Sequence, residues 1–224
     1  MARHESICVV IPYANEPLAR LLRTQGSAMA TCAQRVHVSD DCGRGLPETI
    51  NRGARLAIDA GATHICWLST GDTLHPDRFS PKYAPYPEDR GQCCLVNVLS
   101  RGQVFPDLGT DWNKLMYHDN TFCGSGMVVP VYIWDAVGGF NEELRYCSDW
   151  DFAVRVQHHF GWECVPEVLA TANEYLDGMT HTADSQARHR DGFPELRAVP
   201  PHDHCREPQL PAGSSQHGQI RTRA

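Results

Sequence analysis

Three short apolar runs, each closed by polar or turn residues and separated by helix-length segments, constrain this chain more than any other feature. Ser6 to Ile11 is rich in β-branched residues and stops at Pro12, Arg35 to Val38 is closed by Ser39-Asp40-Asp41-Cys42-Gly43, and His64 to Leu68 runs into Ser69-Thr70-Gly71-Asp72. Runs of this length between turn signals fit buried strands. After the first, Asn15 can cap a helix with Pro17 in its first turn, and Leu18, Leu21, Leu22 and Met29 fall on one helical face. After the second, Pro47 to Ala60 reads as a helix with Ile50, Ala54, Ala57 and Ile58 inward and Gly61 as its stop. Strand, helix, strand, helix, strand implies parallel βαβ units. The fold class is therefore α/β, a Rossmann-like and mostly parallel sheet flanked by helices.

Ligands in such sheets collect at the carboxyl ends of the strands. Here those ends carry Pro12-Tyr13, Asp40-Asp41 and Asp72, so three strands deliver polar groups to one rim. Further along, Asp77 to Gly91 reads as irregular, Cys93 to Leu99 as a strand, and Phe122 to Val131 as a turn feeding a strand. Ile133 to Val137 is a helical turn, Asp149 to Phe160 a helix, and Val165 to Ala172 a final strand or edge segment. From Ala183 the composition changes to a polar, Pro-interrupted stretch. The expected organisation is one domain over residues 1–182 and a largely disordered tail over 183–224.

Bulk properties exclude several function classes. A net charge of -7 and a pI near 5.9 give no basic surface for nucleic acid. No apolar run approaches the roughly 20 residues of a membrane span. The start, Met1-Ala2-Arg3-His4-Glu5-Ser6, shows no secretory signal, and the 10 cysteines form no CxxC pair. They read as reduced, mostly buried small hydrophobes. The expectation is a soluble, cytoplasmic protein.

Four blocks, in order across residues 6 to 182, resemble the family 2 glycosyltransferases, which have the A-type nucleotide-sugar fold. Ile7 to Glu16 resembles that family's opening strand and its P-x-Y-N-E turn, with Ala14 in place of the tyrosine. Val38 to Gly43 resembles the V-D-D-G-S turn. Trp67 to Asp72 resembles the D-x-D-D metal turn, with Ser69 and Gly71 replacing two acids. Gly124 to Asp151 resembles the G-S…G-G-F-x-E…E-D-W-D block, with Ser148 replacing the leading acid of the E-D pair. The resemblance implies transfer of a sugar from a nucleoside-diphosphate donor to an acceptor hydroxyl with inversion, and the acceptor is not readable. Pro12, Tyr13, Glu16, Asp40, Asp41, Asn51 and Gly71 would bind the nucleotide sugar. Asp72 and His181 would hold a divalent cation, Mn²⁺ or Mg²⁺. Asp149 would be the base, and Gly139, Trp150 and Asp151 would lie on the acceptor side.

Each assignment has a plainer alternative. Asp40 and Asp41 suit an Asx-turn after a strand, Asp72 a turn acid, and His181 an exposed loop. Asp149 or Ser148 suits a helix cap, and a helix start together with backbone donors lowers a carboxyl pKa. Ile50 stands where the family's R-N-x-G segment has arginine, which weakens the phosphate role of Asn51. The missing acids also fit a second reading, a degenerate module of the same fold that binds a nucleotide or glycan without catalysis.

Overall fold

The computed structural model describes residues 6–41, 43–106, 123–173 and 175. The proposed tail and His181 lie outside them. The strands are β1 (Ile7–Tyr13), β2 (Arg35–Asp40), β3 (His64–Trp67), β4 (Thr73–Leu74), β5 (Gly91–Val98), β6 (Gln103–Phe105), β7 (Val128–Pro130) and β8 (Trp162–Ala172). The helices are α1 (Leu18–Met29), α2 (Leu46–Asp59), α3 (Val131–Val137) and α4 (Ser148–His159). Among the described residues all the strands join one sheet in the order β2-β1-β3-β7-β5-β8-β4, with β6 on β5.

The expected βαβ units are present: β1 pairs in parallel with both β2 and β3. The sheet is more mixed than the sequence reading held. β7 runs antiparallel to β3 and β5, β8 returns parallel to β5, and β4 is an antiparallel edge on β8. The segment read as irregular from Asp77 to Gly91 opens with two 3₁₀ turns, Pro76–Phe79 and Pro81–Tyr83, and is irregular over residues 84–90. β8 lies inside the sheet between β5 and β4, with a register shift near Leu95.

Alternation along β1 builds a core on each face. Cys8 and Val10 pack with Ile50, Ala54, Trp67, Phe140 and Phe152 on the side of α2, α3 and α4. Ile7, Val9 and Ile11 pack with Leu21, Phe79, Val96 and Leu169 on the side of α1. The apolar stripe expected to bury α1 does not do so. Leu18, Leu22 and Met29 are 60%, 56% and 67% exposed, while Leu21, Thr24 and Ala28 face inward. Thr24 decides this orientation, because its hydroxyl donates to the Asp72 carbonyl and accepts from the Gly71 N–H, both at 2.8 Å. Pro17 takes the N-cap position without a side-chain cap, so Asn15 does not cap α1.

Candidate functional site

A cleft of about 610 Å³ opens over the carboxyl ends of β1, β3, β5 and β8. Trp67 and Phe140 reach its floor from an aromatic cluster. The Trp67 ring meets Phe140 edge-on at 5.0 Å and Phe152 at 5.2 Å, and Phe140 stacks on Phe152 at 5.0 Å. Such edge-to-face and offset pairs make a stiff base for a site.

Of the residues expected to bind the nucleotide sugar, Pro12, Tyr13, Glu16 and Asp41 line the cleft. Two of the carboxylates are already engaged. Glu16 accepts from the Ala14 N–H at 2.8 Å, and Asp41 accepts from the Gly45 N–H at 2.6 Å and the Thr49 hydroxyl at 2.9 Å. Asp41 thus ties the β2 turn to the start of α2, as the Asx-turn alternative holds. Asp40 is exposed and outside the cleft. Asn51 is also outside it and is buried. Its carbonyl accepts from Phe140 N–H, and its amide donates to Phe140 O and to Glu142, each at 2.8 Å. Asn51 therefore clamps the Gly-Gly-Phe turn to α2. A Cβ on Gly139, at φ +69°, would lie 2.6 Å from the Asn51 Oδ1, which explains the glycine there by close approach rather than by acceptor contact.

The turn after β3 departs most from expectation. Gly71 has φ +109°, and a Cβ there would lie 2.5 Å from the Tyr175 ring. The space next to Gly71 is therefore occupied by the Tyr175 ring, over which the Arg20 guanidinium lies 3.7 Å from the centroid. Asn173 donates its side-chain amide to Gly71 O at 2.8 Å. Asp72 is buried, with Oδ1 accepting from the Asn173 N–H at 2.8 Å and Oδ2 from the Ser125 hydroxyl. One carboxylate thereby fastens the turn, the loop before β7 and the end of β8. Among the described residues no three His, Cys, Asp or Glu side chains gather as a metal site. Thr70 spends its hydroxyl on Pro12 O. A single acid with both oxygens hydrogen-bonded does not make a protein-built cation cage, which needs several free oxygen donors.

Asp149 lies in the first turn of α4 and lines the cleft. Its Oδ1 accepts from the Trp150 N–H at 2.9 Å. Its other oxygen faces Gly124, where a Cβ would sit 2.9 Å from Oδ2 and 3.0 Å from the Trp67 Nε1. Gly124 is thus the residue that lets the carboxyl and the indole share one wall. Burial pushes the Asp149 carboxyl above its ordinary value, against the opposing pull of the Trp150 and Gly124 N–H groups. The sequence expectation had the opposite sign, because helix position and backbone donors are visible in a sequence while desolvation is not. Cys147, the N-cap residue before it, has φ 54°, the one positive value outside glycine among the described residues. Burial, and then the Asp149 charge, push the Cys147 thiol up.

The other acceptor-side expectations lie elsewhere. Asp151 is buried and pairs with Arg155 at 2.6 Å, and Arg155 also donates to Val137 O, so Asp151 joins α4 to the end of α3. Neither Trp150 nor Gly139 lines the cleft. Beyond Asp149 the wall is instead Arg101, Phe105, Arg145 and Tyr146, with Arg101 over Phe105 at 5.9 Å and Arg145 over Tyr146 at 5.5 Å. Nothing in the sequence pattern marks these four, nor Arg20, Tyr175 and Asn173, because only the fold brings them to the cleft.

This architecture, a mixed sheet flanked by helices with its cleft over the strand ends, is the glycosyltransferase A-type fold. The chain is similar to TarS of S. aureus, residues 1–349, in complex with UDP, with 12% identity and a TM-score of 0.60 over 83% of this chain and 72% of that one. It is also similar to the same TarS fragment in complex with UDP-GlcNAc, at 12% identity and a TM-score of 0.62, covering 80% and 61%. A third likeness is to the mannosyltransferase PcManGT from Pyrobaculum calidifontis in complex with GDP-Man and Mn²⁺, at 14% identity and a TM-score of 0.60, covering 87% and 65%. No family model and no curated protein matches the sequence. Among the described residues no helix is long and apolar enough to cross a membrane.

Proposed function

We propose that the protein transfers a sugar from a nucleoside-diphosphate donor to an acceptor hydroxyl, with inversion at the anomeric carbon and Asp149 as the base. The single observation that carries this is the state of the four acids that line the cleft. Glu16, Asp41 and Asp72 are each held by backbone N–H or hydroxyl donors from the fold. Asp149 also accepts from backbone N–H groups, those of Trp150 and Gly124, but burial beside the Trp67 indole raises its carboxyl above the ordinary value. A carboxyl raised towards working pH is a better proton acceptor than an ordinary aspartate. In the reaction Asp149 takes the acceptor proton as the acceptor oxygen bonds to the anomeric carbon. The carbon–oxygen bond to the diphosphate breaks on the opposite side, and the nucleoside diphosphate leaves with the electron pair. One base and one displacement give inversion.

The likeness to proteins solved with UDP, UDP-GlcNAc and GDP-Man supports a nucleotide-sugar donor. A divalent cation, if used, would meet this chain through Asp72 and would supply charge neutralisation at the diphosphate. The second reading, a binding module without catalysis, draws on Ser69 and Gly71 at acid positions of the turn. Release of free sugar from UDP- and GDP-sugars decides between them. The transferase reading expects turnover, cut by about 10²-fold or more in Asp149→Asn with nucleotide binding retained. Nucleotide binding with no turnover in the wild type, across the donor panel and with an acceptor mixture, would support the module.

A further inference from the structure

At the β3 turn, the group beside Gly71 is an aromatic ring that carries a cation. Tyr175 rests against the glycine, and a Cβ at residue 71 would come within 2.5 Å of the ring carbon Cε2. The Arg20 guanidinium stacks on that ring at 3.7 Å from its centroid, and Arg20 and Tyr175 both line the cleft with Ser69 and Thr70. Asn173 fixes the Gly71 carbonyl at 2.8 Å, and Arg23 approaches the same carbonyl at 3.5 Å. The same turn offers one carboxylate, Asp72, with both oxygens engaged.

We infer that Arg20, held on Tyr175, binds the diphosphate of the donor and supplies the positive charge there that a metal ion would otherwise provide. This rests on the nucleotide-sugar reading above. A guanidinium offers a planar fork that takes two phosphate oxygens at once, carries its charge at every working pH, and stacks on an aromatic face. Stacking on Tyr175 restricts the long side chain before the ligand arrives, so less freedom is lost on binding. Gly71 belongs to the same arrangement. Any side chain there would displace the ring, and an acid would place a negative charge beside the cation. The turn thus holds a single, already engaged carboxylate, Asp72, and has a cation of its own beside it, Arg20 on Tyr175. Leaving-group charge would be neutralised by a fixed side chain, with no ion to capture first.

Calorimetry on the full chain tests this with uridine, UDP, guanosine and GDP, each in EDTA and in Mn²⁺, on wild type, Arg20→Gln, Arg20→Lys and Tyr175→Leu. Thermal unfolding of each variant checks that the fold is kept. The readout is the ratio of nucleoside Kd to nucleoside diphosphate Kd, which isolates the phosphates. We expect the diphosphate to bind more tightly than its nucleoside in EDTA. Arg20→Gln should shrink that ratio by about tenfold to a hundredfold, the worth of a charged hydrogen-bonded contact, with nucleoside affinity unchanged. Arg20→Lys should restore part of it, and Tyr175→Leu should lose part. A ratio that appears only with Mn²⁺ and survives Arg20→Gln overturns the inference in favour of a metal. A ratio near one in both media overturns it as well, while leaving the cleft a nucleoside site. If neither nucleosides nor diphosphates bind, the nucleotide-sugar reading itself falls, and this inference with it.

Discussion

Replacing Arg78 with methionine should damage both stability and the site, although Arg78 touches nothing in the cleft. Its guanidinium is fully buried beneath the loop that carries Gly124 and Ser125. Nε and Nη2 donate to Gly126 O at 3.0 and 2.8 Å, Nη1 donates to the Gln92 side chain at 2.9 Å, and Nη2 reaches Gln92 O at 3.3 Å. Methionine fills much of the volume but donates nothing. At least Gly126 O and the Gln92 side-chain oxygen then lose a buried donor, and each such loss costs about 1–3 kcal/mol. The sum is about 2–6 kcal/mol, against a typical domain stability of about 5–15 kcal/mol. Equilibrium urea unfolding of wild type and variant measures it as a shift in midpoint at constant slope. The same loop sets Ser125 against Asp72 and Gly124 against Asp149, so ligand affinity should fall in the surviving folded fraction. Arg78→Lys should recover only part of the loss, because an ammonium cannot span Gly126 and Gln92 together. A methionine variant within about 0.5 kcal/mol of wild type, the usual scatter of a neutral surface change, would refute this account of the loop.

Four further expectations follow from the site and the core. Because burial raises the Asp149 carboxyl, turnover should fall on the acid side at a higher pH than an ordinary aspartate gives, and Asp149→Asn should remove that limb. Ionising a raised carboxyl opposes folding as pH rises through its native pKa, so Asp149→Asn should be at least as stable as wild type in neutral thermal melts. His64 is buried against Tyr86 and pushed down to about 4, below its ordinary 6.5. Its contribution to stability should be full above pH 6.5 and disappear as pH falls to about 4, by up to roughly 3 kcal/mol, and His64→Gln should flatten that slope in urea titrations at successive pH values. Finally, Gly124→Ala puts a methyl 2.9 Å from the Asp149 Oδ2 and 3.0 Å from the Trp67 Nε1. It should cost about 1–3 kcal/mol from overpacking and lower turnover more than nucleotide affinity, as read from paired kinetics and calorimetry.

The backbone of the first βαβ units was legible because β1, β2 and β3 are apolar, short and punctuated, and the rim position of Tyr13, Asp41 and Asp72 follows from the same pattern. What each rim acid does was not legible. Asp41 and Asp72 meet donors from Gly45, Thr49, Ser125 and Asn173, and residue type at a strand end does not report which donors fold over it. The contacts of Asn51, placed in the site by its resemblance to the R-N-x-G segment, were not legible for a related reason, since its partner Phe140 lies 89 residues along the chain. The Leu18, Leu22 and Met29 stripe misled because helical periodicity identifies a face without saying what that face meets, and Thr24 anchors the opposite one. The upward shift at Asp149 needed the enclosing walls, and these come from Gly124 and Trp67.

The fastening of Asp72 has a kinetic consequence. Its side-chain partners lie 53 and 101 residues away along the chain, at Ser125 and Asn173. Closing loops of that size costs entropy before any contact repays it, and contacts between distant residues slow folding. The β1–α1–β2 portion can gather from neighbouring residues, but the cleft is complete only when β8 has inserted between β5 and β4. A partly folded chain therefore has a sheet without a site. Ligand recognition thus requires the far edge to be closed, and a ligand that binds holds it closed by mass action.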